Sequence, residues 1–133
     1  MALVNKQTNW VLVVEDEVGI RELMSETLSR IGYRVLECGN VNEALKLCTN
    51  QRFGCIILDY QLDDGGNGGQ VAASIRDNKG GMNYTTPLLM ISAHPTYEVL
   101  NQVGNQINSA LVKPFKFDIF EAKVKELCPL LVS

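Results

Sequence analysis

Residues 55–59 read Cys-Ile-Ile-Leu-Asp, four apolar residues in unbroken succession ending on a carboxylate. A strand with one wet face alternates apolar and polar positions; a short continuous apolar run is a strand covered on both faces. Residues 10–14, Trp-Val-Leu-Val-Val, read the same way and lead into the acidic triplet Glu15-Asp16-Glu17. Residues 87–91, Pro-Leu-Leu-Met-Ile, form a third such run, with proline at the first position, where no ladder donor is lost, and Ser92 just beyond. Tyr33–Glu37 and Ala110–Val112 are two shorter strands, the latter ending at Lys113-Pro114.

Helical spacing fills the intervals. Val18, Ile20, Leu23, Met24, Thr27, Leu28 and Ile31 recur along one helix, with Arg21, Glu22, Ser25 and Glu26 on its other side and Gly32 after its last turn. Asn40, with Glu43 three residues on, caps a second helix whose stripe is Val41, Ala44, Leu45, Leu47 and Cys48. A glycine-rich loop at 63–69 precedes a helix expected over 70–79, and a second loop covers 80–86. A fourth helix, expected over 96–107, uses Val99, Leu100, Val103 and Ile107 and is weakened by Gly104. The last, over 117–127, is expected to turn Ile119, Phe120, Val124 and Leu127 inward. Strand and helix thus alternate throughout, the pattern of an α/β fold with a parallel sheet, helices on both faces and right-handed crossovers. No internal repeat or linker interrupts residues 1–133, which are assigned to a single domain with its core over about 10–128.

Composition excludes several classes. The formal net charge is −3, from 12 basic and 15 acidic residues, with no basic cluster for direct nucleic-acid binding. The apolar runs are far shorter than a membrane span, and residues 1–9 do not read as a secretory signal, so a soluble cytoplasmic protein without a membrane partner is expected. Cys38, Cys48, Cys55 and Cys128 form no Cys-x-x-Cys pair and lie far in sequence from the single histidine, His94. They read as reduced thiols serving as small apolar residues.

The polar residues fall at telling places. Glu15 and Asp16 follow the first strand, Asp59 ends the third, Ser92 follows the fourth and Lys113 the fifth. In a parallel sheet these positions share the carboxyl rim, where open α/β sheets bind ligands. Three carboxylates gathered there repel one another unless a cation sits among them, and an all-oxygen set suits magnesium.

Val-Val-Glu-Asp-Glu at 13–17, Ile-Ile-Leu-Asp at 56–59, Ile-Ser-Ala at 91–93 and Val-Lys-Pro-Phe at 112–115 together resemble the receiver domains of two-component response regulators. The resemblance runs from about Trp10 to Leu127. It implies a flavodoxin-like three-layer sandwich, a five-stranded parallel sheet in the order 2-1-3-4-5 with five helices. It implies that Asp59 is the phosphoacceptor, a carboxylate nucleophile. It implies a magnesium site made by Asp16, by Glu15 directly or through water, by Asp59 and by the backbone carbonyl of Gln61. Lys113 then pairs with Asp59 at rest and with a phosphoryl oxygen after transfer; Pro114 permits a cis peptide bond; and Ser92 is the switch hydroxyl. The implied phosphodonor is a sensor histidine kinase or a histidine phosphotransfer protein. An output domain or partner protein, and a homodimer, are further partners of the family. The chain is expected to catalyse only its own phosphorylation and dephosphorylation, and not to be an enzyme in any wider sense.

Some positions depart from the family. Ala110 stands where an aromatic residue usually reports the switch, so any switch is expected to use the loop at 93–97 and the fourth helix. Leu62-Asp63 stands where Met-Pro is common, and the glycines after it lack a nucleotide-binding pattern and read as a flexible turn. Gln61 and His94, each two residues past Asp59 and Ser92, are expected to govern access of water to the acceptor. The alternative function is a pseudo-receiver, a protein-binding module that is never phosphorylated; the complete set of five site residues counts against it. A flavodoxin is disfavoured because Glu-Asp-Glu occupies the place of its phosphate loop. An aspartate-dependent phosphatase is disfavoured because Asp59-Tyr-Gln61 replaces Asp-x-Asp-x-Thr.

Overall fold

The structure is a computed structural model that describes residues 8–62, 65–94 and 96–131. Readings that touch Met1–Gln7, Asp63, Asp64, Pro95, Val132 or Ser133 lie outside the described residues, and so does the side chain of Thr96. The elements in chain order are β1 (Trp10–Val14), α1 (Val18–Arg30), β2 (Arg34–Cys38), α2 (Val41–Asn50), β3 (Cys55–Asp59), α3 (Gly68–Asp77), β4 (Leu88–Ser92), α4 (Thr96–Val103), β5 (Ser109–Val112) and α5 (Phe117–Leu127).

All strand pairings are parallel, and the sheet order is β2-β1-β3-β4-β5. The unbroken apolar runs take the centre: every residue of β3 and β4 is buried, as is β1 after Trp10, while β2 and β5 at the edges are only partly covered. Side chains alternate between the two faces. Leu12, Val14, Ile56, Leu58, Leu88 and Met90 face one way and pack with Ala44, Cys48, Val71, Ala72, Ile75, Val99 and Val103, so α2, α3 and α4 cover that face. Val11, Val13, Cys55, Ile57, Leu89 and Ile91 face the other way and pack with Met24, Leu28, Phe120 and Val124, so α1 and α5 cover it. This is the three-layer flavodoxin-like sandwich.

Several local expectations shift. The third helix begins at Gly68, not Gln70, because Asn67 caps it: its side chain accepts the Gln70 amide at 3.0 Å, and the Gln70 side chain accepts the Asn67 amide at 2.9 Å. The fourth helix ends at Val103 rather than Ile107, immediately before Gly104. Ile119, expected inward, is 47% exposed, because Phe120 and Val124 alone fill the buried stripe of α5. On α1, Val18 and Leu23 lie outside the contact face, whereas Ser25 is buried beside Met24 and Leu28. A helix on a sheet buries a narrow stripe, and residues at its margin stay wet whatever their hydropathy.

The two ends of the described chain meet at the amino rim of the sheet. The Asn9 side chain accepts from the Leu131 amide at 2.8 Å, and the Cys128 thiol lies 3.6 Å from the Thr8 carbonyl. Gly54 makes room for this closure, since a Cβ there would come within 2.2 Å of that carbonyl.

The cysteines behave as the composition implied. All four are free and buried, and burial pushes Cys38 and Cys48 up to about 12 and raises Cys55 and Cys128 as well. Only a thiolate is a good nucleophile. Iodoacetamide at mildly alkaline pH is therefore expected to leave the native protein unmodified and to alkylate all four thiols after unfolding, as counted by intact mass. Rapid modification of any thiol under native conditions would contradict this burial.

Candidate functional site

Parallel pairing brings the ends of β1, β3, β4 and β5 to one rim, and with them the polar residues that follow. Val14 pairs with Leu58, Asp59 with Ile91, and Ser92 with Val112. Glu15, Asp59 and Ser92 are buried, at 0%, 4% and 2% exposure, so the rim is polar although the strands that lead to it are hydrophobic. Buried charges persist only when paired, and the pairing is explicit. Lys113 Nζ donates to Glu15 Oε1 at 2.8 Å and to Asp59 Oδ2 at 3.3 Å.

Asp16 completes the cluster. One carboxylate oxygen each from Glu15, Asp16 and Asp59 lies within 4.8 Å of the others. One ammonium cannot neutralise three carboxylates. Burial first, and then the neighbouring Asp59 carboxylate, raise Glu15 to about 7 against the pull of Lys113. Burial works against the Lys113 ammonium, yet Glu15 and Asp59 together outweigh it and raise its pKa. A divalent cation answers that excess of negative charge, and hard carboxylate oxygens are the donors magnesium takes. The residues present therefore fit the ion.

Other expected residues frame this cluster. The Gln61 amide donates to Asp59 Oδ1 at 3.3 Å, which holds the loop after β3 against the carboxylate. Gln61 Nε2 lies 2.9 Å from His94 Nε2, and His94 Nδ1 lies 3.7 Å from Glu98, so the imidazole spans from the loop after β3 to the first turn of α4. Ser92 Oγ accepts the His94 amide at 3.0 Å, a local turn rather than a helix cap. The Lys113–Pro114 bond is cis. Ala110 is half-buried and packs against the α2–α3–α4 core.

Two features were not foreseen. Lys113 sits closer to Glu15 than to Asp59, although Asp59 was the expected partner at rest. That preference depends on how deep Glu15 lies, which spacing does not reveal. Gly68 lets the start of α3 press against the end of β3, for a Cβ there would stand 2.5 Å from the Asp59 carbonyl. The Asn67-x-x-Gln70 spacing was the available sign that the helix begins at this glycine.

Comparison with known proteins agrees with this geometry. The family described as the response regulator receiver domain matches residues 11–125. The transcriptional regulatory protein SrrA of Staphylococcus aureus is 33% identical over 123 residues, covering 90% of this chain and 48% of SrrA. The chain thus spans about half the length of the curated relatives it matches. Among solved structures, the response regulator TrrA of Thermotoga maritima in complex with Mg(2+)-BeF is 33% identical with a TM-score of 0.77, covering 89% of this chain and 97% of TrrA. The chemotaxis protein CheY4 of Vibrio cholerae is 27% identical with a TM-score of 0.81, covering 92% of this chain and 99% of CheY4.

Proposed function

Because this chain belongs to the response regulator receiver domain family of two-component systems, we propose that it accepts a phosphoryl group on Asp59, with magnesium held by Glu15, Asp16, Asp59 and the Gln61 carbonyl. The observation that carries the reading is the convergence of Glu15, Asp16 and Asp59 at the carboxyl rim of the sheet, with the two buried carboxylates, Glu15 and Asp59, sharing Lys113. The Mg(2+)-BeF complex of TrrA supports it by similarity.

The chain's own residues account for the steps. A carboxylate oxygen of Asp59 attacks phosphorus and forms the new P–O bond. The P–N bond of a phosphohistidine breaks, its electron pair stays on the imidazole nitrogen, and that nitrogen takes up a proton. Lys113 moves from its two carboxylate partners to a phosphoryl oxygen, where an ammonium on a flexible stem balances the new charge. Bound magnesium supplies further charge neutralisation for the transferring oxygens. Ser92 exchanges its turn for a hydrogen bond to the phosphoryl group, which draws on the His94 segment and the start of α4. The donor is a sensor histidine kinase or a histidine phosphotransfer protein, and the protein works in the cytoplasm. It catalyses only its own phosphorylation and dephosphorylation, and signals through a partner protein, an output domain or a second copy.

Incubation with acetyl phosphate and magnesium, followed by peptide mass spectrometry, tests this. The label is expected on Asp59 and is expected to vanish with EDTA. An unlabelled, magnesium-indifferent protein would instead be a pseudo-receiver, which binds partners without phosphorylation.

Two predictions follow from the frame around the acceptor. The Gln61–His94 contact bridges the loop after β3 and the segment after β4, on the side of Asp59 that the Gln61 amide contacts. Replacing both residues with Ala is expected to speed hydrolysis of the phosphorylated protein several-fold in a phosphate-release assay; an unchanged rate would refute their role. With Ala110 in place of an aromatic reporter, the switch is carried by the segment from Ala93 to Tyr97 and by α4. NMR shift mapping with beryllofluoride is expected to show changes there, and changes confined to the Asp59 pocket would count against it.

A further inference from the structure

A cation from α1 holds the backbone of the acidic turn. Arg21 donates from Nη1 to the Glu15 carbonyl at 2.9 Å and from Nε to Glu37 Oε1 at 3.3 Å. On its other side, the Glu15 amide donates to the Cys38 carbonyl at 3.0 Å. The backbone of Glu15 is thereby fastened at both polar groups to the end of β2, directly and through Arg21. Gly39 supplies the space. A Cβ at that position would stand 3.1 Å from Arg21 Nη1 and 3.8 Å from the Asp16 Cα.

The consequence lies in the peptide plane. The Glu15 carbonyl and the Asp16 amide belong to one rigid unit. A donor that fixes the direction of that carbonyl fixes the plane, and with it the place of the Asp16 Cα relative to Glu15. The planar guanidinium fork suits this task, because two donors set at a fixed angle engage two acceptors on different elements. The Arg21–Glu37 pair is partly exposed, at 21% and 37%, and such a pair by itself contributes little. The charge-assisted bond to the carbonyl, at 2.9 Å against 3.3 Å, is the shorter contact.

We propose that Arg21 is a positioning residue for the divalent cation: it locks the Glu15–Asp16 peptide plane, so that the Asp16 Cα is held where its carboxylate can lie beside those of Glu15 and Asp59 before the ion arrives. This inference rests on the magnesium reading of the cluster. Without Arg21 the Glu15 carbonyl loses this donor while the Glu15 amide keeps its bond to Cys38, so the plane is held less firmly and ion binding has to complete its ordering. Outer partners that orient metal ligands change affinity by roughly ten- to a hundredfold when removed. The effect therefore belongs to ion binding and not to the chemical step.

The test is calorimetric titration with magnesium chloride of the wild type, Arg21→Ala, Arg21→Lys and Gly39→Ala. It is paired with acetyl-phosphate labelling rates across magnesium concentrations and with circular dichroism of each variant. Arg21→Ala is expected to raise the magnesium Kd about tenfold and to label at the wild-type rate once magnesium saturates. Arg21→Lys is expected to fall between, since one ammonium cannot hold both acceptors at the same angle. Gly39→Ala, which crowds Nη1, is expected to shift the Kd in the same direction by less. Folded Arg21→Ala and Gly39→Ala proteins with wild-type magnesium affinity would overturn the inference. So would a labelling rate that stays low at saturating magnesium, which would mark a direct role in transfer. If Arg21→Ala does not fold, Gly39→Ala and Arg21→Lys decide by the same criteria. A wild-type protein that binds no magnesium would overturn the site reading itself, an outcome visible before any variant is compared.

Discussion

Asp59→Asn takes up no phosphoryl group from acetyl phosphate at any magnesium concentration, while its thermal midpoint equals or exceeds that of the wild type. The first half follows from chemistry. A carboxamide has no anionic oxygen to attack phosphorus, and the amide removes one donor from the cation site. The second half follows from electrostatics. Asp59 is 4% exposed and faces Glu15 across a single shared ammonium, and its charge helps to raise Glu15 to about 7. Removing one of two buried like charges relieves repulsion, and Lys113 keeps its shorter bond, to Glu15 at 2.8 Å. Loss of labelling together with retained stability separates loss of the nucleophile from loss of the fold. Labelling that persists in this variant would place the acceptor elsewhere, and a lowered midpoint would show Asp59 to be structural.

Phe120→Ala is expected to lower the unfolding free energy by about 3–5 kcal/mol, read from urea melts at constant m-value. Phe120 is fully buried on α5, with ring centroids 5.5 Å from Phe115 and 6.1 Å from Phe117. Deleting it loses the transfer energy of a phenyl ring and leaves a cavity beneath two others. Since a domain of this size is stable by about 5–15 kcal/mol, the variant approaches its folding threshold. The same ring backs the segment Pro114–Phe117 that follows Lys113, so phosphotransfer is expected to weaken in whatever fraction stays folded. A change below about 1 kcal/mol would mean that the cluster repacks and that the interior is more plastic than its geometry implies.

What could be read from sequence depended on the range of the interaction. The central strands were legible because burial on both faces leaves an unbroken apolar run, as at Cys55–Asp59. The α2 cap was legible because Asn40 and the Glu43 amide, 2.9 Å apart, are three residues apart in the chain. The shared rim followed from parallel alternation, with Asp59 and Ser92 at the last positions of their strands and Glu15, Asp16 and Lys113 one or two residues past theirs. The start of α3 was obscured by glycines, although the Asn67–Gln70 signal was present. The depth of Glu15, the choice of Lys113 to sit nearest to it, and the bond from Arg21 to its carbonyl join residues whose meeting depends on the packing of separate elements. The exposure of Ile119 likewise reflects how α5 rolls on the sheet, which hydropathy does not encode.

The closure between Asn9 and Leu131 has a practical meaning. Five residues of strand, about 17 Å at ~3.3 Å each, separate this closure from the carboxylates. A dye, bead or surface linker fixed at Thr8 or Leu131 would hang from the pole opposite the carboxylate cluster. Immobilised in this way, the molecule would offer its carboxylate rim to the bulk, and the anchoring chemistry would stay clear of that rim.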